Sequence, residues 1–219
     1  MKTRSTLLSL LTLLSLMLVV SPAKADSVLY NNGPYDDDTD AWEINHNFVV
    51  SDNFTLTGNA TITGFHFNTW MFPGDVLTSA ELSITSNEFG GTTFFDQTLN
   101  FTQTNCITNA YGYDACLEST TFNGPNLNAG TYWINLQNAS VANGDPVYWD
   151  ENSGEGCSSP GCPSQASENE LGTIPSESFT LYGNGSTTTT TTGSVPEPGT
   201  FLLLGSGILS LGSVIRRRL

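Results

Sequence analysis

Positively charged side chains are missing from the middle of this 219-residue chain. No Lys or Arg occurs between residues 26 and 194, whereas all of the 21 acidic residues except Glu197 lie in that stretch. Because nothing there can neutralise phosphates, nucleic-acid binding is excluded. Anionic membranes and acidic polysaccharides are also repelled unless divalent cations bridge the charges. The same acidity serves, more simply, to keep an extracellular protein soluble.

Common catalytic signatures are absent as well. Residues 26–194 contain no Gly-x-Ser-x-Gly elbow, phosphate-binding glycine loop, dinucleotide fingerprint or metalloprotease motif. The two histidines, His46 and His66, stand in short strand-like segments where a structural role is the commoner one. A carboxylate pair for glycoside hydrolysis is available in any chain this acidic and therefore indicates nothing by itself. We expect no enzymatic activity and assign no catalytic residue.

The first 25 residues have the layout of a secretory signal peptide. Lys2 and Arg4 precede an apolar run, residues 7–20, and a small-x-small cleavage site ends at Ala25. We expect export through the Sec translocon and cleavage between Ala25 and Asp26.

The last 25 residues combine a turn, one apolar run and a basic end. The turn is Pro196, Glu197 and Pro198, and the basic end is Arg216, Arg217 and Arg218. The apolar run, residues 201–215, includes three glycines and would form about 22 Å of helix. A comfortable membrane span needs roughly 20 apolar residues, so this segment suits a transient membrane helix with its arginines on the cytoplasmic side.

In order and spacing this tail resembles the PEP-CTERM sorting signal of Gram-negative bacteria that produce exopolysaccharide. The resemblance covers residues 195–219 alone. It implies that exosortase, a membrane transpeptidase-like enzyme, processes the chain at the Pro-Glu-Pro motif. It also implies a protein anchored transiently in the inner membrane and then delivered to the cell surface or extracellular matrix.

Residues 26–183 are predicted to form one all-β domain of the β-sandwich or jelly-roll type, flanked by the signal peptide and the hydrophobic sorting helix. Segments rich in Thr, Phe, Val, Ile and Tyr alternate with Gly, Asn, Asp and Pro, without helical period. Nine candidate strands follow at the spacing of such folds. They are residues 47–50, 53–56, 60–70, 80–85, 92–102, 117–122, 130–137, 147–149 and 178–182.

Two breaks in the alternation predict irregular strands. Ile62 and Phe65 fall on opposite faces of a strict alternation, so a β-bulge is expected at Gly64 between them. Phe94 and Phe95 cannot both face one core unless their strand is bulged or buried on both sides.

A Thr-rich linker, residues 184–194, is predicted between this domain and the tail, where it would give exosortase access to its site. Residues 130–138, 143–150 and 172–183 are similar to segments of β-sandwich domains in other exported PEP-CTERM proteins. That similarity supports the fold and the location and implies no activity.

Four cysteines in an exported chain favour disulfides. Of the three pairings, the local one, Cys106–Cys116 with Cys157–Cys162, is favoured because each pair flanks a turn. A zinc site is the competing interpretation, although the sequence has neither a Cys-x-x-Cys spacing nor a nearby histidine.

One acidic cluster is a candidate calcium site: Asp36, Asp37, Asp38 and Asp40. Several carboxylates within a turn supply the oxygen ligands that Ca²⁺ prefers, but the spacing is not that of an EF-hand. A solvated acidic turn is the alternative.

A second cluster is a candidate carbohydrate contact: Tyr148, Trp149, Asp150 and Glu151. Ring faces stack on sugars while carboxylates and amides bind hydroxyl groups. The alternative is the end of a core strand followed by a polar turn.

Together these features predict a non-enzymatic protein of the cell surface or extracellular matrix, acting in adhesion, biofilm or polysaccharide contact. A secreted carbohydrate-active enzyme on the same fold is the alternative, and so is a matrix filler without a specific ligand.

Overall fold

The computed structural model describes residues 26–37 and 39–185, and these fold into two antiparallel β-sheets that pack face to face. No helix occurs among these residues. The predicted all-β, sandwich-like fold is confirmed. The signal peptide, the Pro-Glu-Pro motif and the apolar tail lie outside the described residues, and their boundaries stay predictions.

The described chain contains fourteen strands. In chain order they are β1 (Ser27–Asn31), β2 (Ala41–Glu43), β3 (Val49–Leu56), β4 (Ala60–Met71), β5 (Ser79–Asn87), β6 (Gly90–Asn100), β7 (Thr102–Thr108), β8 (Asp114–Thr121), β9 (Asn126–Leu127), β10 (Gly130–Ser140), β11 (Val147–Asp150), β12 (Ala166–Glu168), β13 (Gly172–Ile174) and β14 (Phe179–Gly185). Asn184 and Gly185, which the sequence prediction placed in the linker, belong to the last strand.

The first sheet, called sheet I, is built around the long strand β4. One edge of β4 pairs with β14 and, further along, with β11; the other edge pairs with β8 and β9. Strands β1, β2 and β7 extend the sheet beyond β14, β11 and β8. Sheet II has the order β13-β12-β3-β10-β5-β6.

Both irregularities predicted from the sequence are bulges in the structure. Tyr182 pairs with Gly64 but the next residue, Gly183, pairs with Ile62, so one extra residue enters β4 and Ile62 can share the buried face with Phe65. In β6 the register slips between Phe95 and Thr93, which leaves Phe94 39% exposed while Phe95 is buried. The bulges thus keep the apolar side chains in the core.

Aromatic side chains dominate the core between the sheets. The Trp149 ring meets Phe65 and Phe67 edge-on at centroid distances of 6.1 and 5.9 Å, and Phe179 lies 5.9 Å from it. Because side chains alternate along a strand, burying Phe65 and Phe67 turns the intervening residues of β4 toward the outer face of sheet I.

Both disulfides are present in the predicted local pairing. Cys106–Cys116 joins β7 to β8, and Cys157–Cys162 closes a loop between β11 and β12. All four cysteines are used, so the zinc interpretation is wrong.

Candidate functional site

The outer face of sheet I carries a cluster of five rings, called here the aromatic patch: Trp70, Phe72, Tyr111, Tyr113 and Tyr148. Tyr111 and Tyr113 stack on Trp70 at 5.5 and 6.1 Å, both with interplanar angles of 27°. Phe72 and Tyr148 flank Tyr113 at 5.3 and 5.8 Å. Tyr111 is 61% exposed and Phe72 is 40% exposed, so the patch offers ring faces to solvent.

Sheet register and one disulfide hold the patch together. Tyr148 of β11 is the direct cross-strand partner of Trp70 of β4, which places both side chains on one face. The turn that carries Tyr111 and Tyr113 is closed by the Cys106–Cys116 disulfide.

That turn is also fixed internally by Asn109. Its side-chain oxygen accepts hydrogen bonds from the backbone N–H groups of Tyr111 and Tyr113, each at 3.0 Å. Its own backbone N–H donates to the carbonyl of Tyr113 at 2.8 Å. The two tyrosines are therefore presented on a rigid support rather than on a loose loop.

A groove of about 550 Å³ lies on the same face of sheet I. His66 and Asn68 of β4 line it, and their side chains lie on the same face of the strand as that of Trp70, so the groove lies beside the aromatic patch. Tyr182 packs against His66 at 4.5 Å, and Tyr35 closes the other side. Burial lowers the pKa of His66, which keeps the imidazole neutral at neutral pH.

Three of the four residues predicted for carbohydrate contact are buried. Trp149 and Asp150 have no exposed surface and Glu151 has almost none. The Trp149 Nε1–H donates to the Ser178 carbonyl at 2.9 Å. For these three residues the alternative interpretation is therefore the better one: they form the buried end of a core strand and the polar turn after it. Tyr148 alone joins the aromatic patch.

Asp150 is a buried hydrogen-bond acceptor for the Trp70 indole of the aromatic patch. Its Oδ1 accepts a hydrogen bond from Trp70 Nε1–H, and its Oδ2 accepts one from the backbone N–H of Asp36 at 3.2 Å. Burial, with the nearby charge of Asp36 as a smaller contribution, raises the pKa of Asp150 to about 7. Asp150 thus links the acidic turn predicted from the sequence to the aromatic residues.

Of the four predicted calcium ligands, the structure describes Asp36, Asp37 and Asp40. The Asp36 carboxylate accepts hydrogen bonds from the N–H and hydroxyl of Thr39, at 3.1 and 2.6 Å. Asp40 accepts one from the N–H of Ala41 at 2.8 Å, and Asp38 lies outside the described residues. Nowhere in residues 26–37 and 39–185 do three or more Asp, Glu, His or Cys side chains stand in the arrangement of a ready-made metal site.

Sequence reasoning missed two acidic residues, Asp52 and Glu177, both without exposed surface. Asp52 projects from sheet II, and its Oδ2 accepts the backbone N–H of Glu177 at 2.8 Å. Burial raises the pKa of Asp52 to about 7. For Glu177, burial followed by the negative charges of Asp52, Glu151, Asp150 and Asp40 raises the pKa well above its ordinary value. The one sequence feature that could have indicated this pair is the charged Asp52 within a segment whose other residues resemble a β-strand.

The fold and the site define a disulfide-bonded β-sandwich with an open aromatic face. Residues 194–218 match the PEP-CTERM protein-sorting motif, so the C-terminal segment is a PEP-CTERM sorting signal, as the resemblance implied. This motif indicates an extracellular protein that is exported, processed by exosortase and sorted to the cell surface. No curated protein matches the chain.

The predicted transmembrane helix falls in the part of the chain outside the described residues. The described part of the chain contains no helix with the length and apolar character of a membrane span.

Proposed function

We propose that this protein is a non-enzymatic component of the cell surface or extracellular matrix that contacts polysaccharide through the aromatic patch and the adjoining groove. The observation that carries the proposal is the stack of Tyr111 and Tyr113 on Trp70, with the outer ring faces open to solvent. Sec-dependent export and a role in adhesion or biofilm belong to the same proposal.

The chemistry of the face suits sugars. Pyranose rings present apolar C–H faces that pack on aromatic rings, and their hydroxyl groups need nearby donors and acceptors. The groove supplies these from the amides of Asn31, Asn68 and Asn105. A shallow face of this kind accommodates a chain that continues in both directions.

The charge of the domain selects among polysaccharides. With no Lys or Arg between residues 26 and 194, uronate or sulfate groups find no cationic partner. We therefore expect neutral glycans to bind better than anionic ones of similar backbone.

The carboxylates near the patch support binding rather than hydrolysis. Asp150 is fully buried beneath Trp70, and Asp114 is engaged with Gly74 N–H at 3.0 Å and the Thr108 hydroxyl at 3.0 Å. Glu43 pairs with His46 at 2.6 Å. Each has a structural partner, which favours the non-enzymatic assignment over a carbohydrate-active enzyme.

The test is a binding screen of the full chain against neutral and anionic glycans, with reducing-sugar release measured in parallel. Tyr111→Ala should weaken the best ligand by about tenfold, since a central aromatic contact is typically worth more than 1 kcal/mol. Phe94→Ala, which removes a ring that is 39% exposed on sheet II, should leave binding unchanged. Equal loss in both variants, or turnover that disappears when single carboxylates become amides, would contradict the proposal.

A further inference from the structure

Glu177 is a fully buried carboxyl whose two oxygens have no hydrogen-bond partner. Placing an ionised carboxylate in such surroundings is costly unless a positive charge accompanies it. Asp52, which faces Glu177 from sheet II, has a second unpartnered buried oxygen. These two groups mark a point in the sandwich where a positive ligand is expected.

The backbone register brings two further carboxylates to the same place. Glu151 and Glu177 form a β-bridge, so their side chains share one face of sheet I. On the other side of Glu151, its N–H donates to the carbonyl of Asp40 at 3.2 Å. Asp40, Glu151 and Glu177 therefore form a row across adjacent backbone segments about 4.8 Å apart, with Asp52 opposite them. This group of four is called the carboxylate row.

Within residues 26–37 and 39–185, no cationic side chain neutralises the carboxylate row. Residues 26–194 contain no Lys or Arg. Both histidines are engaged elsewhere, His46 with Glu43 and His66 against the Tyr182 ring. Neutralisation must then come from bound protons or from a cation taken up from the surroundings.

We propose that Glu151 and Glu177, assisted by Asp40 and Asp52, bind one calcium ion between the two sheets. The donors are all oxygen, without sulfur or imidazole, which is the ligand chemistry of a hard divalent cation. Ca²⁺ accepts irregular sets of six to eight ligands, including backbone carbonyls and water, so carboxylates from separate backbone segments can serve together. Asp40 is exposed at the rim and gives the ion a route from solvent.

The ligand set is not assembled in the described residues, so the proposal requires the carboxylates to rotate toward the ion while hydrogen bonds hold the surrounding backbone. The Asn32 side-chain amide donates to the Glu177 carbonyl at 2.6 Å, and the Ser178 N–H donates to the Asp150 carbonyl at 2.9 Å. The Glu151 carboxylate accepts hydrogen bonds from Trp42 Nε1–H at 3.2 Å and from the Ser153 hydroxyl at 3.0 Å. These two hydrogen bonds position the Glu151 carboxylate before an ion binds.

Thermal unfolding of the full chain, purified in mild detergent and stripped with chelator, tests the site. Calcium chloride at a hundredfold excess over its dissociation constant should raise the melting temperature by about 5–10 °C. Glu177→Gln should abolish this shift. Glu118→Gln, which alters another fully buried carboxyl with an unpartnered oxygen, should keep it. Asp37→Asn with Asp38→Asn, confined to the acidic turn, should keep it as well.

A spectroscopic titration of the unaltered chain covers the case in which Glu177→Gln fails to fold. Terbium bound at the carboxylate row should luminesce on excitation of Trp42, whose indole lies against Glu151. Calcium should displace it, and Trp42→Phe should reduce the signal severalfold. No calcium shift combined with stabilisation by acid would overturn the proposal in favour of bound protons. A shift lost in the Asp37 and Asp38 variant but kept in Glu177→Gln would move the ion to the turn.

Discussion

Tyr148 and Trp149 are neighbours in β11, yet their rings lie on opposite faces of sheet I. Trp149 is buried and meets Phe67 edge-on at 5.9 Å, whereas Tyr148 meets Tyr113 at 5.8 Å in the aromatic patch. The period of two along a strand separates them. Two residues that look alike in the sequence therefore have different roles, one in stability and one at the surface.

Substituting Trp149 and Tyr148 separately should show that the first residue affects mainly stability and the second mainly glycan binding. Trp149→Phe removes core volume and the bond to the Ser178 carbonyl, and should lower the free energy of unfolding by about 2 kcal/mol. Tyr148→Ala should change stability by less than about 1 kcal/mol while weakening glycan binding. Denaturant unfolding and a binding assay measure both. If Trp149→Phe weakened binding at unchanged stability, the assignment of faces in β11 would be incorrect.

The Cys106–Cys116 disulfide should matter for both stability and the aromatic patch. Replacing both cysteines by serine opens a loop of sequence separation 10 and should cost about 2–3 kcal/mol. Because the loop carries Tyr111 and Tyr113, glycan affinity should also fall. The Cys157–Cys162 double serine variant provides the comparison: it should lose a similar amount of stability but less affinity, because its loop contacts Asn31 of the groove and does not carry the stacked tyrosines. Equal affinity in both variants would show that the disulfide does not position the tyrosines.

Glu118 should make the domain less stable as the pH rises. Its carboxyl is fully buried and accepts one hydrogen bond, from the Thr69 hydroxyl at 3.2 Å. Burial raises its pKa from 4.5 to about 7 in the folded state. Between these values the folded state keeps a proton that the unfolded state has lost. The free energy of unfolding should therefore fall by about 3 kcal/mol from this group as the pH rises from 4.5 to 7.

Glu118→Gln should make that part of the pH profile less steep by the contribution of Glu118 alone, because glutamine keeps the acceptor for Thr69 and cannot ionise, whereas Asp52 and Asp150 still titrate there. Unfolding in chelator at pH 5 and at pH 8 gives the measurement. Glu170→Gln, an exposed acid, should leave the profile unchanged. A Glu118→Gln profile as steep as that of the unaltered chain would locate the pH dependence in other buried acids.

Trypsin should leave the domain intact even after denaturation and reduction. No Lys or Arg lies between Lys24 and Arg216, so the full chain should yield one large fragment, residues 25–216. In protein recovered from an exporting host, the mass of that fragment reports the N-terminal cleavage and any processing at the Pro-Glu-Pro motif. Tryptic ends inside residues 26–194 would be inconsistent with the sequence.

Much of the fold was predictable because it depends on local pattern. Alternation of apolar and polar residues predicts the strands that begin at Ala60, Gly130 and Val147. Breaks in that alternation predict the bulges near Gly64 and Phe94. The short strands β2, β12 and β13 were missed because three residues are too few to show a period. The sequence pattern predicts one strand over residues 92–102, whereas β6 ends at Asn100 and β7 begins at Thr102 in the structure.

The sequence by itself determined the sorting motif, the all-β class and the absence of Lys and Arg from residues 26–194, and it favoured the disulfide pairing that the structure shows. Each of these depends on composition or on residues close together in the chain. Only the tertiary structure decided which aromatic residues reach the surface and which carboxylates meet. Tyr111 reaches Trp70, 41 positions away, because β8 pairs with β4. Asp52 of sheet II meets Glu177, 125 positions away, because the two sheets pack face to face.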